Sequence, residues 1–264
     1  MKAVLRHLLL VAVLCLLAWP VQAADGILIV EKTTSGTMTQ TSRVQIEPSR
    51  MRVDSTGGPN GPQAFVFDGA KQVMWIIDLT HKTYREITKA DLDRLGQQMS
   101  GAMAQMQEQL KNLPPEQREK MQEMMKNMPG AAAPVAKTEY RKGGTATVGR
   151  WTCQTYEGYR GTEKVSELCT VPPAALGFST ADFDVSRQLA EFFRKIMPKD
   201  ADRMFSVGGG EEGFAGVPVR SVYYAGGSQT VTELTDVGRQ SFPASAFEVP
   251  AGFTKEASPF GPPR

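Results

Sequence analysis

The stretch RWTCQTYEGYRGTEKVSELCTV, Arg150–Val171, is the strongest fold signal in the chain. Aromatic and β-branched side chains alternate with polar ones along it, and glycines stand near its middle. This pattern is typical of a β-hairpin, here turning around Arg160-Gly161-Thr162. We therefore predict antiparallel strands on either side of that turn.

The two cysteines of this hairpin, Cys153 and Cys169, are centred on its turn, because their numbers average to 161. A regular ladder would place them directly opposite each other, ~4.5–5.5 Å apart, which permits a disulfide. On the chain-entropy model such a bridge contributes ~3 kcal/mol. A redox-active pair would need Cys-x-x-Cys spacing and a helix N-terminus that lowers a thiol pKa. We therefore predict a structural disulfide.

The first residues, Met1–Ala23, have the pattern of a secretory signal peptide. Lys2 and Arg6 give a positive start, Leu8–Trp19 is an uncharged apolar run, and Val21–Ala23 is a small-x-small cleavage site. The run is shorter than the ~20 apolar residues that cross a bilayer. We expect a signal that is cleaved, a periplasmic location and no transmembrane segment after cleavage.

Removal of this signal leaves the charges balanced. Loss of Lys2 and Arg6 reduces the 30 basic residues to 28, which equals the 28 acidic residues. Nucleic-acid and acidic-membrane partners favour a basic excess, so this balance argues against both. His81, in the predicted turn Leu79–Lys82, is the one histidine left, which disfavours a histidine metal site and nucleophilic catalysis. We expect a protein that is not an enzyme.

Short alternating segments separated by turns fill most of the remaining chain and indicate an antiparallel meander. We predict an α+β, mostly β fold, with about ten strands in one curved antiparallel sheet. Helices would cover one face of this sheet. Residues 24–256 would form one domain, followed by a disordered tail at 257–264.

The apolar period changes to three or four residues after Thr88, which indicates helix. A first helix would run to the Pro114-Pro115 pair, and Glu116–Met128 would form a second. We therefore predict that 88–136 is a methionine-rich helical hairpin with a linker. A further amphipathic helix is predicted over Ala181–Met197.

The methionines of this insertion allow three interpretations. Thioethers suit Cu(I), whereas methionine also fills apolar cores and lines adaptable binding surfaces. Packing, binding of a hydrophobic ligand or polypeptide, and metal binding therefore all stay open. The residues concerned are Met99, Met103, Met106, Met121, Met124, Met125 and Met128.

Four short segments carry a family resemblance: Phe65–Gly69 (FVFDG), Thr83–Glu86 (TYRE), Gly149–Tyr156 (GRWTCQTY) and Phe247–Phe253 (FEVPAGF). Together with the signal they resemble a domain-of-unknown-function family of exported bacterial envelope proteins, over most of 25–253. That family is similar in architecture to the LolA/LolB-like lipoprotein-carrier superfamily. The resemblance implies an open half-barrel that holds acyl chains beneath helices.

The leading hypothesis is a non-enzymatic periplasmic binding protein that carries acyl chains or lipoproteins in a groove. The alternatives are a periplasmic Cu(I)-binding protein and a scaffold that docks an envelope partner protein through 88–128. Apart from Cu(I) in that alternative, no cofactor is expected. The groove candidates are Trp75, Ile77, Met99, Met103, Met106, Phe192 and Phe193.

Overall fold

A computed structural model describes residues 24–59, 61–111, 138–197 and 213–258, together with residues 114, 117 and 260. The described part is dominated by one open sheet of 12 strands. The strands are β1 (Ala24–Ser35), β2 (Met38–Glu47), β3 (Arg50–Thr56), β4 (Gln63–Asp68), β5 (Val73–Asp78), β6 (Thr83–Thr88), β7 (Glu139–Val148), β8 (Trp151–Arg160), β9 (Glu163–Val171), β10 (Val217–Ala225), β11 (Ser228–Phe242) and β12 (Thr254–Lys255).

Two antiparallel meanders meet at the centre of this sheet, where β1 pairs with β11. The strand order is β12-β6-β5-β4-β3-β2-β1-β11-β10-β9-β8-β7, so β12 and β7 are the edges. The prediction of a mostly β, open antiparallel sheet is confirmed. The predicted count of about ten is too low, partly because β12 is only two residues that pair in parallel with β6. So short an addition has no periodicity to detect.

A β-bulge changes the predicted register of the disulfide hairpin. Cys153 and Cys169 are bonded, with Cα atoms 5.4 Å apart. However, the register between β8 and β9 shifts near the turn, so that Thr155 lies opposite Cys169. The cysteines are therefore diagonal neighbours, and the prediction of direct opposition was wrong. The turn is centred between Gly161 and Thr162, with Arg160 opposite Glu163, and the residue inserted in β9 shifts the pairing by one further position. An average of two residue numbers cannot detect either change.

The first predicted helix is present as α1 (Lys89–Lys111). Thr88 and Asp91 cap it reciprocally: the Asp91 N–H donates to Thr88 Oγ1 at 3.2 Å, and the Thr88 N–H donates to Asp91 Oδ2 at 3.0 Å. The second predicted helix, Glu116–Met128, lies outside the described residues apart from residue 117.

The helix predicted over Ala181–Met197 is shorter than expected. A 3₁₀ turn, Thr180–Phe183, precedes α2 (Asp184–Phe193). Beyond α2 the Ile196 N–H bonds to the carbonyl three residues back, so the last turn tightens and the α-helix ends. Apolar periodicity alone does not separate these two kinds of turn.

Two apolar cores lie on opposite sides of β1–β6. On one side, here called the helix face, α1 and α2 pack over residues such as Ile27 and Phe67. On the other side, the tail face, the C-terminal segment 243–253 packs over Leu28 and Ile77. Successive strand residues alternate between the two sides. No helix in the described ranges is long and apolar enough to cross a membrane.

Candidate ligand-binding surface

Cross-strand pairing arranges the helix-face side chains of β1–β5 in rows. The row nearest the helices, here called the covered row, consists of Ile27, Ile46, Met51, Phe67 and Met74. α2 lies against it: the Phe192 ring centroid is 5.3 Å from that of Phe67, and the two side chains are 0% and 2% exposed. Ile27, Ile46 and Phe67 are buried in this row, and Met51 and Met74 are half-buried.

The next row, here called the open row, is also apolar but is not fully covered. It consists of Ile29, Val44, Val53, Phe65 and Ile76. Phe65 is 37% exposed and the other four are half-buried. Five adjacent strands span ~19 Å at their usual ~4.8 Å spacing. The result is a continuous apolar strip, one side chain wide, that is partly exposed to solvent.

A third row, here called the polar row, borders the open row. It consists of Glu31, Ser42, Ser55, Gln63 and Asp78. The hydroxyls of Ser42 and Ser55 are 3.4 Å apart. Asp78 is already engaged, because its carboxylate lies 2.8 Å from His81 Nδ1 and accepts the backbone N–H groups of Thr80 and His81. These bonds lower the pKa of Asp78 and raise that of the exposed His81.

Glu31 differs from Asp78 because no described residue forms a hydrogen bond or ion pair with its carboxylate. Its cross-strand neighbours on the two sides are Ser42 and Leu234. Leu234 is 6% exposed and belongs to the helix-face core. Burial raises the pKa of Glu31 because it removes water from the charged form. An incompletely solvated carboxylate thus stands in the polar row, next to the β1 end of the open row.

The two helices are joined at the start of α1. Lys89 and Lys195 Nζ lie 3.1 and 3.2 Å from Asp93 Oδ1, and their hydrogen bonds lower the pKa of Asp93. Gly96 allows a close approach, since a Cβ there would be 3.3 Å from the Lys195 backbone carbonyl oxygen. The first turns of α1 are therefore held against the segment that follows α2.

The methionines of α1 are exposed. Met99, Met103 and Met106 have 47%, 55% and 41% of their surface accessible, and their spacing places them on one side of the helix. Met121, Met124, Met125 and Met128 lie outside the described residues. Within the described residues, no group of three or more His, Cys, Asp or Glu side chains could hold a metal ion.

The structure does not bring the seven groove candidates together. Trp75 and Ile77 do share a face, but it is the tail face, where Ile77 is fully buried with Phe247. Phe192 and the half-buried Phe193 lie in the helix-face core. Met99, Met103 and Met106 are on the exposed part of α1.

Sequence reasoning missed the open row and Glu31. Alternation in β4 already places Phe65 and Phe67 on one face, and the same parity links Ile29 with Glu31. The missing information was which side of the sheet the helices cover. Without this information, Trp75 and Ile77 are as good candidates for the binding surface as Phe65.

Comparisons with known proteins add a family resemblance over the C-terminal half. Residues 137–253 match the family described as Domain of unknown function (DUF4412). That range includes two segments of the sequence resemblance, Gly149–Tyr156 and Phe247–Phe253, but neither β4 nor β6. No curated protein matches the chain.

Among solved structures, the chain is similar to an uncharacterized conserved protein from Thermus thermophilus. The two are 9% identical, the match covers 89% of this chain and 91% of that chain, and the TM-score is 0.44. The chain is also similar to PNGF-II, with 8% identity, 89% of this chain and 31% of that chain covered, and a TM-score of 0.33. Neither similarity carries an argument about function.

Proposed function

We propose that this protein is a non-enzymatic binding protein that holds an apolar chain, such as an acyl chain, along the open row. The observation that supports this is the contrast between two adjacent rows of one face. Ile27, Ile46 and Phe67 of the covered row are buried, whereas no side chain of the equally apolar open row is buried. The signal-like Met1–Ala23 favours a periplasmic location, and the lipoprotein-carrier resemblance favours acyl chains or lipoproteins as cargo.

The open row is long enough for a bound chain to bury a substantial apolar area. A chain that removed about 200 Å² of apolar surface from water would gain about 5 kcal/mol, before the cost of association. A strip open on one side thus favours reversible binding over permanent enclosure. The exposed methionines of α1 supply further apolar surface on the same chain, suited to ligands of varied shape.

Binding of the uncharged dye nile red, whose fluorescence rises in apolar surroundings, tests this proposal. Phe65→Ser should weaken dye binding markedly, because it removes the most exposed side chain of the open row. Met38→Ser is the matched control, since Met38 is 55% exposed but lies at the β1–β2 turn. Equal binding by wild type and Phe65→Ser, with both folded by circular dichroism, would contradict the proposal.

A second candidate function, Cu(I) binding, is favoured by the exposure of Met99, Met103 and Met106. These thioethers are accessible and are not used in a core, and soft sulfur ligands select Cu(I). Replacing all three with leucine keeps the helix apolar but removes the sulfur ligands. Loss of Cu(I) binding with retained nile red binding would favour a metal role for α1.

The remaining candidate, a scaffold that docks a partner protein through 88–128, rests on the same exposed face of α1. The leucine variant would preserve such docking, because leucine retains the apolar surface. Retained capture of an envelope protein by that variant, together with absent Cu(I) binding in wild type, would favour docking.

A further inference from the structure

The basic residues of β1–β5 all lie on one face of the sheet, whereas acidic residues occur on both faces. Register and alternation place every basic side chain of these strands on the tail face. They are Lys32, Arg43, Arg50 and Arg52. The described helix-face positions of the same five strands carry Glu31 and Asp78 and no basic residue.

Several basic groups elsewhere on the helix face are paired with carboxylates, whereas Arg150 donates to the Val237 backbone carbonyl at 3.3 Å. Lys89 and Lys195 bind Asp93, as described above. Arg85 Nε donates to Glu256 at 2.8 Å, and an Arg239 guanidinium nitrogen donates to Asp182 at 2.8 Å. An anionic head group on the open row would therefore lie beside acidic side chains without an unengaged cation in β1–β5.

Glu31 is the acid best placed to meet a ligand. It follows Ile29 by two residues on the same face of β1, so it stands ~7 Å from the β1 end of the open row. The register shift between β1 and β11 occurs beside it, and it sets the buried Leu234 against its outer side. A half-buried carboxylate that no described residue pairs with loses hydration, and a cationic ligand group would replace that hydration with a charge-assisted hydrogen bond.

From this placement, and resting on the proposed function, we infer that the open row takes an amphiphile with an ammonium head. The ammonium group donates to the Glu31 carboxylate, and the apolar chain lies across the strands from Ile29 towards Ile76. The same arrangement rejects the carboxylate head of a free fatty acid, which would face Glu31 with like charge.

Calorimetric titration at pH 7 with dodecylammonium and with dodecanoate, both below their micelle concentrations, tests this inference. The two probes have the same chain and opposite head charges. Wild type should prefer dodecylammonium by about tenfold or more. In Glu31→Gln, which keeps the side-chain shape, the preference should fall to about twofold or less.

Glu163→Gln provides the charge-matched control, because Glu163 is an exposed acid at the start of β9 and outside the rows. This variant changes the net charge equally and should keep the wild-type preference. Equal affinities of the two probes for wild type, or an unchanged preference in Glu31→Gln, would overturn the inference. Failure of both probes to bind wild type would instead reject the proposed function itself, and the inference with it.

Discussion

Phe65 and Phe67 point to the same side of β4, yet Phe65 is 37% exposed and Phe67 is 2% exposed. The two rings differ only in what covers them. Phe67 packs against Phe192 of α2, whereas Phe65 lies one row beyond the helix. This boundary between a covered and an open apolar row is the basis of the proposed binding surface.

The two rings should therefore differ in their contribution to stability. We expect Phe67→Ala to lower the free energy of unfolding by about 3–5 kcal/mol, because it leaves a cavity beneath α2. Phe65→Ala should cost about 1 kcal/mol or less, because the site is partly exposed. Urea unfolding of both variants checks this, and similar costs would mean that Phe65 is covered in solution.

Removal of the disulfide should destabilise the chain by about 3 kcal/mol, because its residues are separated by 16 positions and the bridge restricts the unfolded state. The Cys153→Ala/Cys169→Ala double variant should show this loss in urea unfolding without reductant. Wild type in reductant serves as the comparison. An unchanged midpoint in both would exclude a stabilising role for the bridge.

Gly26 should not tolerate a side chain. A Cβ at this position would lie 2.7 Å from the Ile46 carbonyl oxygen and 2.7 Å from the Phe242 ring. We expect Gly26→Ala to cost about 1–3 kcal/mol through overpacking. Gly238→Ala is the control, since nothing lies within 4 Å of its Cβ, and the change should be neutral or stabilising by up to about 1 kcal/mol. Equal thermal midpoints for the two variants would contradict this packing.

The attachment of α1 should depend on ionised Asp93. Hydrogen bonds from Lys89 and Lys195 lower its pKa from 3.8, so the stabilisation is present above that value and is lost as pH falls through the folded pKa. Asp93→Asn should speed hydrogen exchange in the first turns of α1 at neutral pH. Glu108→Gln, in the exposed Glu108–Lys111 pair of the same helix, should leave that exchange unchanged.

Glu31 should destabilise the unliganded protein at neutral pH. Its pKa is raised from 4.5 by burial, so the folded state is favoured by the protonated form. Stability from this group is therefore greatest below pH 4.5 and is lost as pH rises through the folded pKa. Glu31→Gln should raise the thermal midpoint at pH 7 and flatten its pH dependence between about pH 4 and pH 7. A lower midpoint would show that an unseen partner stabilises the carboxylate.

The sequence by itself determined the local elements of this protein. Alternation and turn residues predicted the hairpins, including the cysteine-bearing one, because a side-chain period of two is a local property of strands. The change of period after Thr88 likewise predicted α1. Alternation also placed Phe65 and Phe67 on one face of β4, and Trp75 and Ile77 on one face of β5.

Only the tertiary structure decided which of these residues face the helices and which face the C-terminal segment. The chain leaves β6 and β9 towards one side of the sheet, where α1 and α2 cover Phe67, and leaves β11 towards the other, where Phe247 covers Ile77. Which face each segment packs on depends on long-range contacts, because both faces carry enough apolar surface to bind either segment. For the same reason the bulge in β9, the parallel pairing of β12 and the exposed position of Phe65 depend on contacts between distant segments, which local periodicity does not contain.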